Sequence, residues 1–264
     1  MPTLPLYQVD AFTDRRFAGN PAAVVPLETW PPDATLQAIA AENNLPETAF
    51  IAPTKGDADY DLRWFTPTVE VDLCGHATLA TAFVLATVLG VAAERVTFAT
   101  RSGELAVTRD GDIHTLDFPA NPPKPVTNAA PFADALGATP QAVLRGGQFG
   151  LAVFPDEATV AGLAPDMGRV AAMTDLLGII ASAPGDTADV VSRFFAPQAG
   201  IPEDPVTGAA HTVIGPYRAE RLGKPALHAR QISARGGDLR VTPAGERVHI
   251  GGQCALYLDG RIHI

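Results

Sequence analysis

Three stretches of the chain carry residue types that can do chemistry together. The first is Leu73-Cys74-Gly75-His76, where a thiol, a glycine and an imidazole precede an uncharged run from Ala77 to Ala93. The second is Glu203-Asp204-Pro205-Val206-Thr207-Gly208, a carboxylate followed by another glycine turn. The third is Asn44-Leu45-Pro46-Glu47-Thr48-Ala49-Phe50, where Glu47 stands between a proline and a strand entry. The first turn of a helix presents unpaired N–H groups and a partial positive charge, and glycine lets an anion approach that backbone closely. A carboxylate ligand then needs neither lysine nor arginine. Taken singly each residue also has a plainer reading: Glu47 as a solvated loop residue, His76 as a capping or core histidine, Asp204 as a loop terminator, Cys74 as a small buried hydrophobe.

The elements around these stretches read as mixed α/β. Strands are expected at Leu6–Ala11, Ala22–Pro26, Thr48–Ala52, Tyr60–Phe65, Arg95–Ala99, Glu104–Thr108 and Ile113–Phe118. A helix is expected at Asp33–Asn43 with Asp33 as its N-cap, and another opens at Cys74-Gly75-His76. The uncharged run Ala77–Ala93 is shorter than the roughly 20 residues of a membrane span and suits a core helix. Asn121–Pro125 (NPPKP) makes a natural boundary. Beyond it, strands are expected at Gln148–Phe154, Val190–Phe195, Ala229–Ser233, Leu239–Thr242, Val248–Gly251 and Ala255–Leu258, with a helix from near Thr207.

An internal repeat ties the chemistry to these elements. Arg63-Trp64-Phe65-Thr66-Pro67 matches Arg193-Phe194-Phe195-Ala196-Pro197. Gly75-His76-Ala77 matches Gly208-Ala209-Ala210, and Ser102-Gly103-Glu104-Leu105 matches Gly236-Gly237-Asp238-Leu239. The order predicts two related halves, 1–118 and 119–264, with terminal strands able to cross between them. If the halves face each other, the two glycine turns converge on one cleft.

Composition narrows the partners. The chain has 264 residues, 47% apolar and 18% charged, and a net charge of −10. No Lys/Arg cluster marks a nucleic-acid or acidic-membrane surface, so neither is expected. Two cysteines, Cys74 and Cys254, make no disulfide framework and suit a reducing cytosol. No secretory signal is read at the N-terminus. The six histidines show no HxxxH or HExxH spacing, and no phosphate loop appears, so neither metal nor nucleotide cofactor is expected.

Phe17-Ala18-Gly19-Asn20-Pro21-Ala22-Ala23-Val24, Asn44–Phe50, Leu73–Thr78 and Glu203–His211 together resemble the four signatures of the phenazine biosynthesis PhzF-like family, with Leu116–Ala120 as a fifth, weaker match. The resemblance implies a diaminopimelate epimerase-like fold of two pseudo-symmetric halves, each a sheet wrapped around a central helix. It implies a cofactor-independent isomerase, commonly a cytoplasmic homodimer in a biosynthetic process, acting on a small anionic metabolite between the halves. In the phenazine enzyme a proton moves within a cyclic dihydro-hydroxyanthranilate. The acid/base carboxylate of the family falls on Glu47, its histidine on His76 and its aspartate on Asp204. Gly75, His76, Thr207, Gly208 and Ala209 then fall on the substrate. The phenazine branch has serine where this chain has Ala209, which removes a hydroxyl from the substrate's surroundings.

Two rivals follow from the same residues. A two-thiol racemase or epimerase needs a cysteine on each face of the substrate carbon, and the repeat pairs Cys74 with Thr207 instead. On that ground Cys74 is expected to be mostly buried and chemically passive. A non-catalytic small-molecule-binding homologue is the other rival; it would show affinity without exchange.

Overall fold

The computed structural model describes residues 3–264. The chain divides into two units of mixed α/β structure, one running to Asp117 and taking back Gly251–Ile264, the other Phe118–Ile250.

In the first unit the chain runs β1 (Thr3–Ala11), β2 (Asn20–Pro26), α1 (Asp33–Asn43), β3 (Glu47–Pro53), β4 (Tyr60–Phe65), β5 (Glu70–Val71), α2 (Gly75–Phe83), β6 (Arg95–Thr100), β7 (Gly103–Asp110) and β8 (Ile113–Pro119). β1 pairs antiparallel with β2, β2 parallel with β3, β3 antiparallel with β4, and β4 parallel with β6. The C-terminal strand Cys254–His263 returns to pair antiparallel with β1. Helix α1 lays Leu36, Ile39 and Ala40 against Val25, Phe50 and Phe65. Helix α2 is buried along most of its length, from His76 to Ala82. Its threonines need no outside partner: the Thr78 hydroxyl donates to the Cys74 carbonyl at 2.6 Å and the Thr81 hydroxyl to the Ala77 carbonyl at 2.7 Å.

Two details differ from the sequence reading. Pro32, not Asp33, is the N-cap of α1, and the Asp33 carboxylate instead takes a hydrogen bond from Arg63 at 2.9 Å. The uncharged run does not stay helical to Ala93. After Phe83 it widens into a π-helical turn, Val84–Val88, and stops before Gly90, whose φ of +71° closes the turn. Val91–Ala93 lie outside the helix.

The second unit repeats the order with additions. It holds β9 (Lys124–Pro125), α3 (Ala130–Leu136), β10 (Ala142–Gly146), β11 (Phe149–Val153), α4 (Glu157–Ala161), α5 (Met167–Ala171), β12 (Gly178–Ala183), β13 (Val190–Ala196), β14 (Ile201–Asp204), α6 (Gly208–Leu222), β15 (Leu227–Gln231), β16 (Gly237–Ala244) and β17 (Arg247–Gly252). β10–β11 is antiparallel, β11–β12 parallel, β12–β13 antiparallel and β13–β15 parallel, the same succession as in the first unit. Its core packs Phe132 and Leu136 of α3 with Phe154, Ile179 and Phe195.

The repeat is also written in side chains. Arg63 grips both oxygens of Glu70, at 2.7 and 2.7 Å, and Arg193 grips both oxygens of Glu203, at 2.8 and 2.9 Å. Each guanidinium lies over the ring two residues on, Phe65 or Phe195, at 5.2 and 4.9 Å. A bidentate pair fixes orientation as well as charge, so each half sets the loop before its helix in the same way.

Helix α6 tolerates an internal proline. Pro216 has no N–H for the Thr212 carbonyl, and a buried unpaired carbonyl is costly. The Asn121 N–H donates to that carbonyl at 3.0 Å, so the proline-rich segment supplies what Pro216 cannot. Among the described residues no helix is long and apolar enough to cross a membrane.

Candidate active site

Glu47 is the first residue of β3 and lies opposite Ala22 in the parallel β2–β3 register. The next residue, Thr48, is buried and accepts a hydrogen bond from the Asn43 amide at 3.1 Å, tying the strand entry to the end of α1. Cys74 precedes α2 in extended conformation, and Gly75 and His76 are the helix's first two residues. The His76 Nε2 is 3.1 Å from Glu47 Oε2, and the His76 Nδ1 is 3.5 Å from the Cys74 Sγ. The Glu47 side chain is 12% exposed and that of His76 8%.

Electrostatics follow from that arrangement. Burial disfavours a charged His76, but the Cys74 sulfur and the Glu47 carboxylate outweigh it and hold its pKa well above the ordinary histidine value. Burial, and then the Glu47 charge, push the Cys74 thiol up. The Glu47 carboxyl and the Cys74 sulfur thus flank the two nitrogens of the His76 ring, Oε2 facing Nε2 at 3.1 Å without hydrogen-bond geometry and Sγ within hydrogen-bond reach of Nδ1 at 3.5 Å.

In the second unit Asp204 closes β14, and Thr207 precedes α6 in extended conformation. The Thr207 hydroxyl donates to Asp204 Oδ2 at 2.5 Å. Gln231, fully buried at the end of β15, binds this loop from both sides. Its carbonyl oxygen accepts from the Thr207 N–H at 2.9 Å, and its amide donates to the Asp204 carbonyl at 2.8 Å. Gly208 and Ala209 open α6. Burial pulls the pKa of His211 down to about 4, so the ring is neutral and its Nδ1–H donates to the Thr207 carbonyl at 2.8 Å. Neither Cys74 nor Thr207 caps its helix with a side chain, which leaves both helix starts to a ligand or water.

Each residue expected at the site thus has a defined local role. Glu47 and His76 are brought into contact; Asp204 and Thr207 are brought into contact; Gly75, Gly208 and Ala209 stand at helix starts. Two contacts were not expected. Gln231 carries no signal in the sequence, because a lone glutamine ending a strand is ordinary until its partners are known. Cys74 was placed beside the site but not in contact with its imidazole.

Among the described residues, Glu47, Cys74 and His76 form the one trio of metal-ligating types, their atoms within 4.8 Å of one another. These are zinc-type donors. However, each ring nitrogen of His76 already meets a different neighbour, and coordination through one nitrogen requires the ring to give up a contact. Within the trio the hydrogen-bond contact is the one between Cys74 and His76 Nδ1, while Glu47 Oε2 faces Nε2 at 3.1 Å without hydrogen-bond geometry.

The sequence model of phenazine biosynthesis-like proteins (PhzC-PhzF) matches residues 9–260. The chain belongs to this family. A Pseudomonas aeruginosa protein named an uncharacterized isomerase is 52% identical over 261 residues, covering 99% of both chains. The crystal structure of a PhzF-family protein from Enterococcus faecalis superposes with a TM-score of 0.96 at 45% identity, covering 100% of both. A hydroxyproline epimerase from Agrobacterium vitis, 13% identical, superposes with a TM-score of 0.60 over 98% of this chain and 92% of its own. That last likeness concerns the fold alone: PhzF-family proteins and epimerases share this architecture.

Proposed function

We propose that this PhzF-family protein is a cofactor-independent isomerase that moves a proton within a small carboxylate-bearing metabolite by general acid/base catalysis. The observation that carries the reading is the Glu47 carboxylate held by His76 beside an uncapped helix start.

The Glu47 carboxylate is assigned to proton transfer. It removes a proton from a carbon next to an unsaturated or carbonyl group, and the electron pair delocalises into that group. Glu47 then returns the proton at another carbon, so the double bond moves and no co-reactant is consumed. Amides at the uncapped start of α2, at Gly75, are assigned to the substrate carboxylate. His76, as imidazolium, balances the charge on Glu47. Asp204, with Thr207, is assigned to the substrate's polar groups; that assignment rests on the family motif. Ala209 in place of serine removes one hydroxyl and points to a substrate differing from the phenazine precursor at that contact. The protein is proposed to act as a cytoplasmic homodimer with no nucleic-acid or membrane partner.

Dihydro-hydroxyanthranilate and a panel of small unsaturated carboxylates, incubated with the protein in D2O, test this by NMR. Isomerised product, or deuterium at the abstracted carbon, supports the reading. Binding without either supports the non-catalytic homologue.

A further inference from the structure

We propose that Cys74 is a positioning residue of this site: its sulfur holds the His76 ring so that Nε2 stays on the Glu47 carboxylate. The inference rests on the isomerase reading for its catalytic meaning, and on geometry for its existence. Sγ lies 3.5 Å from Nδ1, within reach of a sulfur hydrogen bond, while Nε2 lies 3.1 Å from Oε2. The sulfur contact at Nδ1 is the hydrogen bond that sets the ring's rotation and so aims Nε2, which has no hydrogen-bond partner of its own, at the carboxylate. Without it the ring can turn over and offer Glu47 a carbon.

A thiol suits this place better than an apolar side chain. His76 is 7% exposed, so water is a poor substitute partner for Nδ1. A sulfur accepts from Nδ1–H when the ring is charged, and the S–H donates to Nδ1 when that nitrogen is bare. One side chain therefore serves both protonation states of the histidine. Cys74 is 6% exposed and its backbone is extended, at φ −145° and ψ 109°, so it enters the site from before the helix while Gly75 makes the turn. The ionisable neighbours that act on His76 are Cys74 and Glu47. Where the repeat alone suggests a passive thiol, this contact gives it a positioning role.

The test uses imidazole-detected 1H–15N NMR on the intact protein, with Cys74→Ala and Cys74→Ser, alongside turnover and melting temperature. In the wild type, His76 is expected to show an Nδ1–H proton protected from exchange. Cys74→Ala loses that protection and lowers the His76 pKa; Cys74→Ser, which keeps a donor and acceptor, retains part of both. With a turned-over substrate, kcat in Cys74→Ala falls on the order of tenfold with KM nearly unchanged, as for a displaced general base. An unchanged Nδ1–H signal and His76 titration in Cys74→Ala, with only a lower melting temperature, overturns the proposal and leaves a packing role. If Cys74→Ala does not fold, the wild-type spectrum decides: a charged His76 whose Nδ1–H is not protected overturns it equally. The NMR arms need no substrate, so failure of the isomerase reading and failure of this one are distinguished.

Discussion

Glu47→Gln separates chemistry from folding within one pair of atoms. The substitution preserves size and removes the basic oxygen. The lost interaction is the 3.1 Å contact with His76, made by a side chain 12% exposed. A hydrogen bond between charged partners contributes about 1.5–3 kcal/mol and a neutral one about 0.5–1.5. Glutamine keeps the shape of this contact and removes its charge, so the net loss is about 1–2 kcal/mol, a fall of roughly 2–8 °C in melting temperature. Against a typical stability of about 5–15 kcal/mol the variant remains folded. Turnover, in contrast, is expected to fall about a hundredfold or more, as for loss of a general base. That much loss is not attributable to unfolding. The pH dependence adds a check of sign. His76 has a folded pKa above its unfolded value of about 6.5. The stability it draws from its charged form is therefore fully present below about pH 6.5 and is lost as pH rises through the folded pKa. The stability difference between wild type and variant should shrink toward alkaline pH. Near wild-type turnover, or a difference that grows with pH, refutes the reasoning.

Acid should weaken both units through buried neutral histidines. His114 and His211 both have pKa values pulled down to about 4, His114 by burial and then the Arg109 charge, His211 by burial. The unfolded chain binds more protons between about pH 6.5 and 4, so stability falls across that window as pH drops. His114→Leu should flatten part of the decline in melting temperature; an unchanged acid profile would contradict it. Gly19→Ala, in the first family motif, should destabilise by roughly 2 kcal/mol or more, because φ is +65° and an added Cβ would lie 2.2 Å from the Ala11 carbonyl oxygen. Chemical denaturation checks this, and a loss under about 0.5 kcal/mol would count against it. Dialysis against a chelator should leave turnover unchanged, since the Cys74 sulfur within the Glu47–Cys74–His76 trio is already engaged by His76 Nδ1. Activity lost on dialysis and restored by zinc would sink that expectation.

Local sequence determined much of this protein's element order. Tyr60–Phe65 and Asp33–Asn43 were legible to the residue, because each has a clear period and turn residues on both sides. The repeat was legible too, because Arg63 and Arg193 sit at matching points before matching glycine turns. Other elements were not. β12 has all six residues buried, so it shows no alternation between faces. The five-residue helices α4 and α5 are too short for a helical period to register. Helix α6 holds Pro216 only because Asn121, far earlier in the chain, donates to its freed carbonyl, and no local pattern carries that. The same division holds at the site. Residue type, together with the family resemblance, marked Glu47, His76 and Asp204 as candidates. That Glu47 meets Nε2 while Cys74 meets Nδ1, and that Gln231 clamps Asp204 to Thr207, was decided by tertiary structure alone. A hydrogen bond depends on distances between strands and helices far apart in the chain, and those distances exist only once the sheets have paired.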